Sequence, residues 1–121
     1  MDLITAEQRE TMLANGRRTA RGETIDPPPV VKLFTPDAGT TWLLTELDPT
    51  DPDEAIGLCD LGVGCPELGY VRLSELCTVR GRLGLQVERD RWFIPAASLS
   101  AYADAARQAE RVIEIPAPEA V

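Results

Sequence analysis

Residues Trp42 to Tyr70, WLLTELDPTDPDEAIGLCDLGVGCPELGY, read as two apolar strands joined by an acidic, proline-broken loop and followed by a glycine-rich turn. In the first strand, Thr40 to Leu47, the period-two rule sends Trp42, Leu44 and Glu46 one way and Thr41, Leu43, Thr45 and Leu47 the other. The second spans Ala55 to Leu61, with Ile56, Leu58 and Asp60 opposite Ala55, Gly57, Cys59 and Leu61. Small residues at alternate positions imply close approach of another element, most simply the C-terminal helix. Between the strands, Asp48 to Glu54 (DPTDPDE) is expected as an exposed connection, because Pro49 and Pro52 interrupt it.

Upstream, Thr5 to Asn15 reads as a helix, with a Thr5/Gln8 capping box and an Asn15-Gly16 stop signal. Its apolar face is thin, so it is expected to lie on the surface. Arg17, Arg18 and Arg21 follow in a polar link. Asp26-Pro27-Pro28-Pro29 forces an extended entry into a strand from Val30 to Thr35, and Pro36 to Gly39 turns the chain. Downstream, Tyr70 to Leu73 forms a fourth strand, and Ser74 caps one helical turn over Glu75, Leu76 and Cys77. Leu85 to Ile94 carries charge on both faces, which marks an edge strand. A last helix starts at Ser98 or Ser100 and presents Leu99, Tyr102, Ala103, Ala106 and Ile113 at near-helical spacing. The expected fold is therefore α+β: an antiparallel, meander-like sheet of about five strands, the C-terminal helix on one face, and a short N-terminal helix. Residues 1–115 form one domain and 116–121 a flexible tail.

Net charge places function more sharply than fold does. Of the 20 acids and 12 bases, eight acids fall between Lys32 and Arg72 with no base among them: Asp37, Glu46, Asp48, Asp51, Asp53, Glu54, Asp60 and Glu67. The other twelve acids are balanced by the twelve bases, so the net −8 belongs to this segment. Such a field disfavours direct nucleic-acid binding and attracts basic surfaces. No run of about 18 apolar residues occurs, and MDLITAEQRE lacks the features of a signal peptide, so the expectation is a cytoplasmic protein without a membrane segment. Cys59, Cys65 and Cys77 are then free thiols.

The absence of histidine removes the commonest general base and transition-metal ligand. The cysteine spacing lacks the close pairs of a zinc site. The acidic loop lacks EF-hand spacing, and the glycine-rich loop lacks a phosphate-binding pattern, so no metal or cofactor is expected. Trp42 and Trp92 are assigned to core packing. Carboxylates remain the one residue type available for a site.

The run from PPPVVKLF through TWLLTELDP, GLCDLG and ELGY, with VERD and YADAA further on, resembles an uncharacterised bacterial family catalogued as a domain of unknown function. The likeness covers Leu13 to Ala106. The resemblance implies small acidic proteins often encoded on plasmids and conjugative elements near antirestriction-type genes, with no established activity. Three functions follow as expectations. The first is a non-enzymatic accessory or inhibitor of mobile elements, of antirestriction or anti-CRISPR type. Its contact would be Glu46, Asp48, Asp51, Asp53, Glu54, Asp60 and Glu67, set against a basic surface such as the nucleic-acid channel of a host-defence nuclease or CRISPR effector. The second is a small-ligand or cation-binding domain using Glu46, Asp48 and Asp60. The third is a dimerising module in which Arg17, Arg18 and Arg21 meet the acidic face of a second copy.

Overall fold

A computed structural model describes residues 3–116. Its elements in chain order are α1 (Ala6–Ala20), β1 (Val31–Phe34), β2 (Thr41–Asp48), β3 (Asp51–Asp60), β4 (Glu67–Arg72), α2 (Leu73–Leu76), β5 (Glu88–Arg89) and α3 (Leu99–Ala109). The strands form one antiparallel sheet in the order β4-β3-β2-β1-β5. This is the expected α+β fold, with one refinement. The first four strands form a meander, whereas the chain after β4 returns through α2 to place β5 at the far edge, beside β1.

Both faces of the sheet carry a packed cluster. On one, Val31, Leu33, Trp42, Leu44, Leu47 and Ala55 pack with Met12 of α1, Leu73 and Leu76 of α2, and Leu3, Ile4 and Val87. On the other, Leu43 and Leu58 meet Tyr102, Ala103 and Ala106 of α3. The small side of β3, Ala55 and Cys59, thus faces the N-terminal helix rather than the C-terminal one. Gly57, between them, is closed off by the neighbouring strand: a Cβ there would stand 2.0 Å from the Leu43 carbonyl oxygen.

The docking of α1 explains why it runs past its expected stop. The Thr5/Gln8 capping box opens the helix as expected. Asn15 and Gly16, instead of ending it, are the residues that let it touch β2. Asn15 Nδ2 donates to the Thr45 carbonyl at 2.8 Å. At buried Gly16 a Cβ would lie 1.8 Å from the Leu47 carbonyl oxygen. The helix continues to Ala20 and absorbs Arg17 and Arg18. Arg18 and Arg21 then pair with Glu23 at 3.2 and 3.0 Å.

A bulge in β2 overrides strict alternation. Leu44 pairs with Gly57 and Glu46 with Ile56, so Thr45 is the extra residue. Leu44 and Leu47 consequently share the α1 face, three positions apart, and the Thr45 hydroxyl donates to the Ile56 carbonyl at 3.2 Å. The acidic loop contracts in the same way. Asp48 pairs with Asp51 across a two-residue Pro49-Thr50 turn, and Pro52 to Glu54 swell out of the β2 ladder before Leu47 pairs with Ala55. Pro52 sits in that bulge, where its missing N–H costs no β2 hydrogen bond. Most of DPTDPDE is therefore strand, not an exposed connection.

Three further expectations are corrected. The fourth strand begins at Glu67, and Leu73 already belongs to α2. Only Glu88 and Arg89 of the long expected edge strand pair with β1, because the chain turns at Asp90, whose Oδ1 accepts the Trp92 amide at 2.9 Å. Ser74 lies inside α2, whose N-cap is Arg72. At α3 the cap is Ser98, whose Oγ accepts from the Ala101 amide, and Asp26 adds a carboxylate to the Ser100 amide at 3.0 Å. Residues 117–121, most of the expected tail, lie outside the described residues.

Candidate functional site

The seven carboxylates read from the sequence separate into an inner pair, a cluster at one end of the sheet, and one distant residue. Glu46 and Asp60 form the inner pair, 6% and 3% exposed. They do not converge: Glu46 pairs with Ile56 near the β2–β3 turn, whereas Asp60, the last residue of β3, pairs with Thr41 at the start of β2. Glu46 Oε2 accepts from the Thr19 hydroxyl at 3.1 Å, and burial pushes its carboxyl above the usual carboxylate range, only partly offset by that bond. Asp60 accepts the Gly62 amide on Oδ1 and the Val112 amide on Oδ2, both at 2.9 Å. It ties the β3–β4 loop to the segment after α3, a role in the fold.

The cluster comprises Asp48, Asp51, Asp53 and Glu54. Asp48 Oδ1 accepts from the amide and hydroxyl of Thr50 at 2.9 and 2.8 Å, which closes the tight turn and holds its carboxyl below the usual range. Arg72 gathers the next two. Its Nη1 lies 2.9 Å from Asp51 Oδ2 and its Nε 3.1 Å from Asp53 Oδ2. Asp53 also takes the Ser74 hydroxyl at 2.6 Å and the Ser74 amide at 2.9 Å, and these bonds hold its carboxyl low. The cap for α2 thus comes from a neighbouring strand, two carboxylates pair with one guanidinium, and Glu54 faces Arg72 across the β3–β4 ladder. Glu67 pairs with Cys59 at the opposite end of that ladder. The eighth acid, Asp37, accepts from the Leu83 and Leu85 amides and fastens the loop before β5.

What charge counting missed is apolar. Ile56, Leu58, Leu68, Tyr70, Glu54 and Arg72 share one face of the β3–β4 pair by register. The α3 cluster takes Leu58 but not Ile56, Leu68 or Tyr70. Tyr70 is 70% exposed and Leu68 is exposed on the same face, while Leu61 and Val63 are exposed in the β3–β4 loop. A bare apolar strip thus runs along the outer strand and meets the acidic cluster at Glu54 and Arg72. The alternation Leu68-x-Tyr70 was visible in the sequence; the shortness of α3, which leaves it uncovered, was not.

Trp42 is buried and Trp92 is not. Trp92 is 90% exposed, because the Asp90 turn carries it off the sheet edge. Cys59, Cys65 and Cys77 are free, and burial raises the Cys59 thiol, which makes it a poor nucleophile. Among the described residues no group of three or more His, Cys, Asp or Glu side chains is placed to hold a metal ion. None of the described helices is long and apolar enough to cross a membrane.

Sheet, helices and surface together define a small α+β domain in which most of these acids are bonded within the fold and Glu54 stands at the end of an uncovered apolar strip. The chain belongs to the family described as protein of unknown function (DUF2958), whose model matches residues 3–113. No curated protein and no solved structure matches it.

Proposed function

We propose that the protein is a non-enzymatic binding module that docks on another protein through the outer β3–β4 face. The observation that carries this reading is the strip of exposed Leu68 and Tyr70 with half-buried Ile56, outside the α3 cluster, which ends at Glu54, the member of the carboxylate cluster that shares its face. An apolar centre with a charged rim is the anatomy of a protein interface, and aromatic anchors such as Tyr70 dominate binding energy in such patches. The rim carboxylates are held in place by Thr50, Arg72 and Ser74 before any partner arrives, so little ordering entropy is lost on binding. A basic partner is favoured by the sign of the rim.

The finer reading is an accessory or inhibitor of mobile elements, of antirestriction or anti-CRISPR type, acting against a basic nucleic-acid channel in a defence nuclease or CRISPR effector. The net charge of −8 supports it, and so does a carboxylate cluster at one end of the sheet. Its mobile-element setting rests on the resemblance alone. Capture from lysate with wild type, Tyr70→Asp and Glu54→Lys tests both levels. Wild type retains a basic protein that salt or double-stranded DNA displaces, and both variants, folded by circular dichroism, lose it. Equal retention by all three contradicts the proposed face, and retention insensitive to DNA contradicts the channel-blocking form.

A further inference from the structure

The sheet ends at β4, and its hydrogen-bond phase shows which main-chain groups that edge leaves open. Thr35 N donates to the Thr40 carbonyl at 3.2 Å, so residues 35 and 40 face each other across the β1–β2 ladder. In antiparallel pairing, residues that exchange hydrogen bonds alternate with residues that do not. Thr41 and Leu43 therefore turn towards β3 and bond Asp60 and Leu58, which leaves Ala55, Gly57 and Cys59 to bond Val71, Gly69 and Glu67 of β4. The Ile56 carbonyl, which accepts from the Thr45 hydroxyl, points towards β2 as this phase requires. The amides and carbonyls of Leu68 and Tyr70 consequently face away from the sheet. No strand lies beyond β4, and among the described residues no other backbone hydrogen bond reaches them.

The side chains of the same strand indicate what fits beside it. Leu68 and Tyr70 stand exposed on one face. On the other face Gly69 leaves room, since a Cβ there would meet nothing within 4 Å. Glu67 is exposed on that second face and has no guanidinium or ammonium within 4.0 Å among the described residues, whereas Arg72 is taken up by Asp51 and Asp53. Sheet edges are commonly blunted by proline, lysine or a covering element, and the sequence of β4, ELGYVR, contains neither proline nor lysine.

Resting on the docking face inferred above, we propose that the partner contributes an extended apolar-basic segment that adds an antiparallel sixth strand beyond β4. Its main chain bonds Leu68 and Tyr70, its apolar side chains lie beside theirs, and a lysine or arginine on the other face meets Glu67. Strand addition draws affinity from main-chain hydrogen bonds and specificity from alternate side chains. Charge selects a basic segment: Glu67 is unmatched, and no base lies between Lys32 and Arg72. A second copy of the chain suits the edge less well. Its β4 carries one base, Arg72, on the Leu68 and Tyr70 face and not on the face of Glu67.

The test uses the full chain and fluorescein-labelled, end-blocked heptapeptides in which Val, Leu, Ile or Phe alternates with Lys, read by polarisation. Library members bind with micromolar affinity. N-methylation of the apolar residues' amides, which point at β4, weakens binding about tenfold, and N-methylation of the lysine amides leaves it near the parent value. Leu68→Pro removes an outward amide at no cost to the β3 ladder and weakens binding about tenfold more than Leu68→Ala, which keeps that amide. Glu67→Lys weakens the lysine library about threefold and favours a library with Glu in place of Lys. Circular dichroism reports the fold of each variant. The proposal is overturned if no library member binds, if both methylation patterns bind like their parents, or if folded Leu68→Pro binds like Leu68→Ala. A dimer that Leu68→Pro disperses, without peptide binding, overturns it in favour of a second copy. The capture assay separates this proposal from the docking face. Folded Leu68→Pro that retains the basic protein lost by Tyr70→Asp overturns strand addition alone, whereas retention by both variants overturns the docking face with it.

Discussion

Glu46 and Asp60 show how one residue type serves two ends of a strand pair. Each sits among apolar neighbours on a predicted strand, the signal that made both candidates for a site, yet each spends its carboxylate on the fold. For Glu46, burial raises the folded-state pKa above the unfolded value. The unfolded chain therefore ionises first, and stability falls as pH rises from about 4.3, the unfolded glutamate value, through the folded one. Glu46→Gln keeps an oxygen for the Thr19 hydroxyl and removes the cost of ionisation. Urea denaturation will find the variant at least as stable as wild type at neutral pH, with the difference closing in acid. A variant less stable at neutral pH would show that the charged form is the one the fold prefers. Asp60→Ala leaves two amides, of Gly62 and Val112, without acceptors, and is expected to cost about 1–3 kcal/mol in the same assay.

Among the elements, α1 departs most from its local signals. Asn15-Gly16 is a good stop in isolation, and a thin apolar face says surface; neither cue carries the bulge in β2 that the helix docks upon. Close packing at Gly16 is paid for in sequence by the very residue that reads as a terminator. Gly16→Ala drives a Cβ into the Leu47 carbonyl and should destabilise by about 3 kcal/mol, whereas Ala14→Ser on the exposed side of α1 should stay near wild type. Equal unfolding midpoints for the two would contradict the docking. Cap assignment failed for a related reason. Ser74 has the residue type of an N-cap, but the acceptor is Asp53, twenty-one positions earlier. Because its bonds hold the Asp53 carboxyl low, its contribution is full above the unfolded aspartate pKa of about 3.9 and is lost as pH falls through the lower folded value. Asp53→Ala should lower Tm at neutral pH, and the gap should vanish only in strong acid.

At the scale of the molecule, the strands, their antiparallel order and the two helices were legible because period, proline and capping signals agree with one another along most of the chain. The return of β5 to the far edge was not, since pairing partners across a crossover leave no local mark. The eight acids were legible as a charge excess but not as a geometry. Arg72, outside the acidic segment, decides where two of them sit, and the fold withdraws Glu46 and Asp60. What remains is a carboxylate cluster at the β2–β3 end of the sheet, which meets through Glu54 an apolar strip that charge alone does not reveal.

Occupancy of that strip is the point on which the functional account turns. A photo-crosslinking phenylalanine analogue at position 70, with the same probe at exposed Ala14 as the reference, tests it most directly in living cells that hold the partner. Tyr70 is replaced by a residue of similar shape, so the fold is undisturbed. The account predicts a discrete adduct with a basic protein from position 70, lost when Glu54→Lys is combined with the probe, and no such adduct from position 14. The same adducts from both positions, or none from position 70, would contradict it.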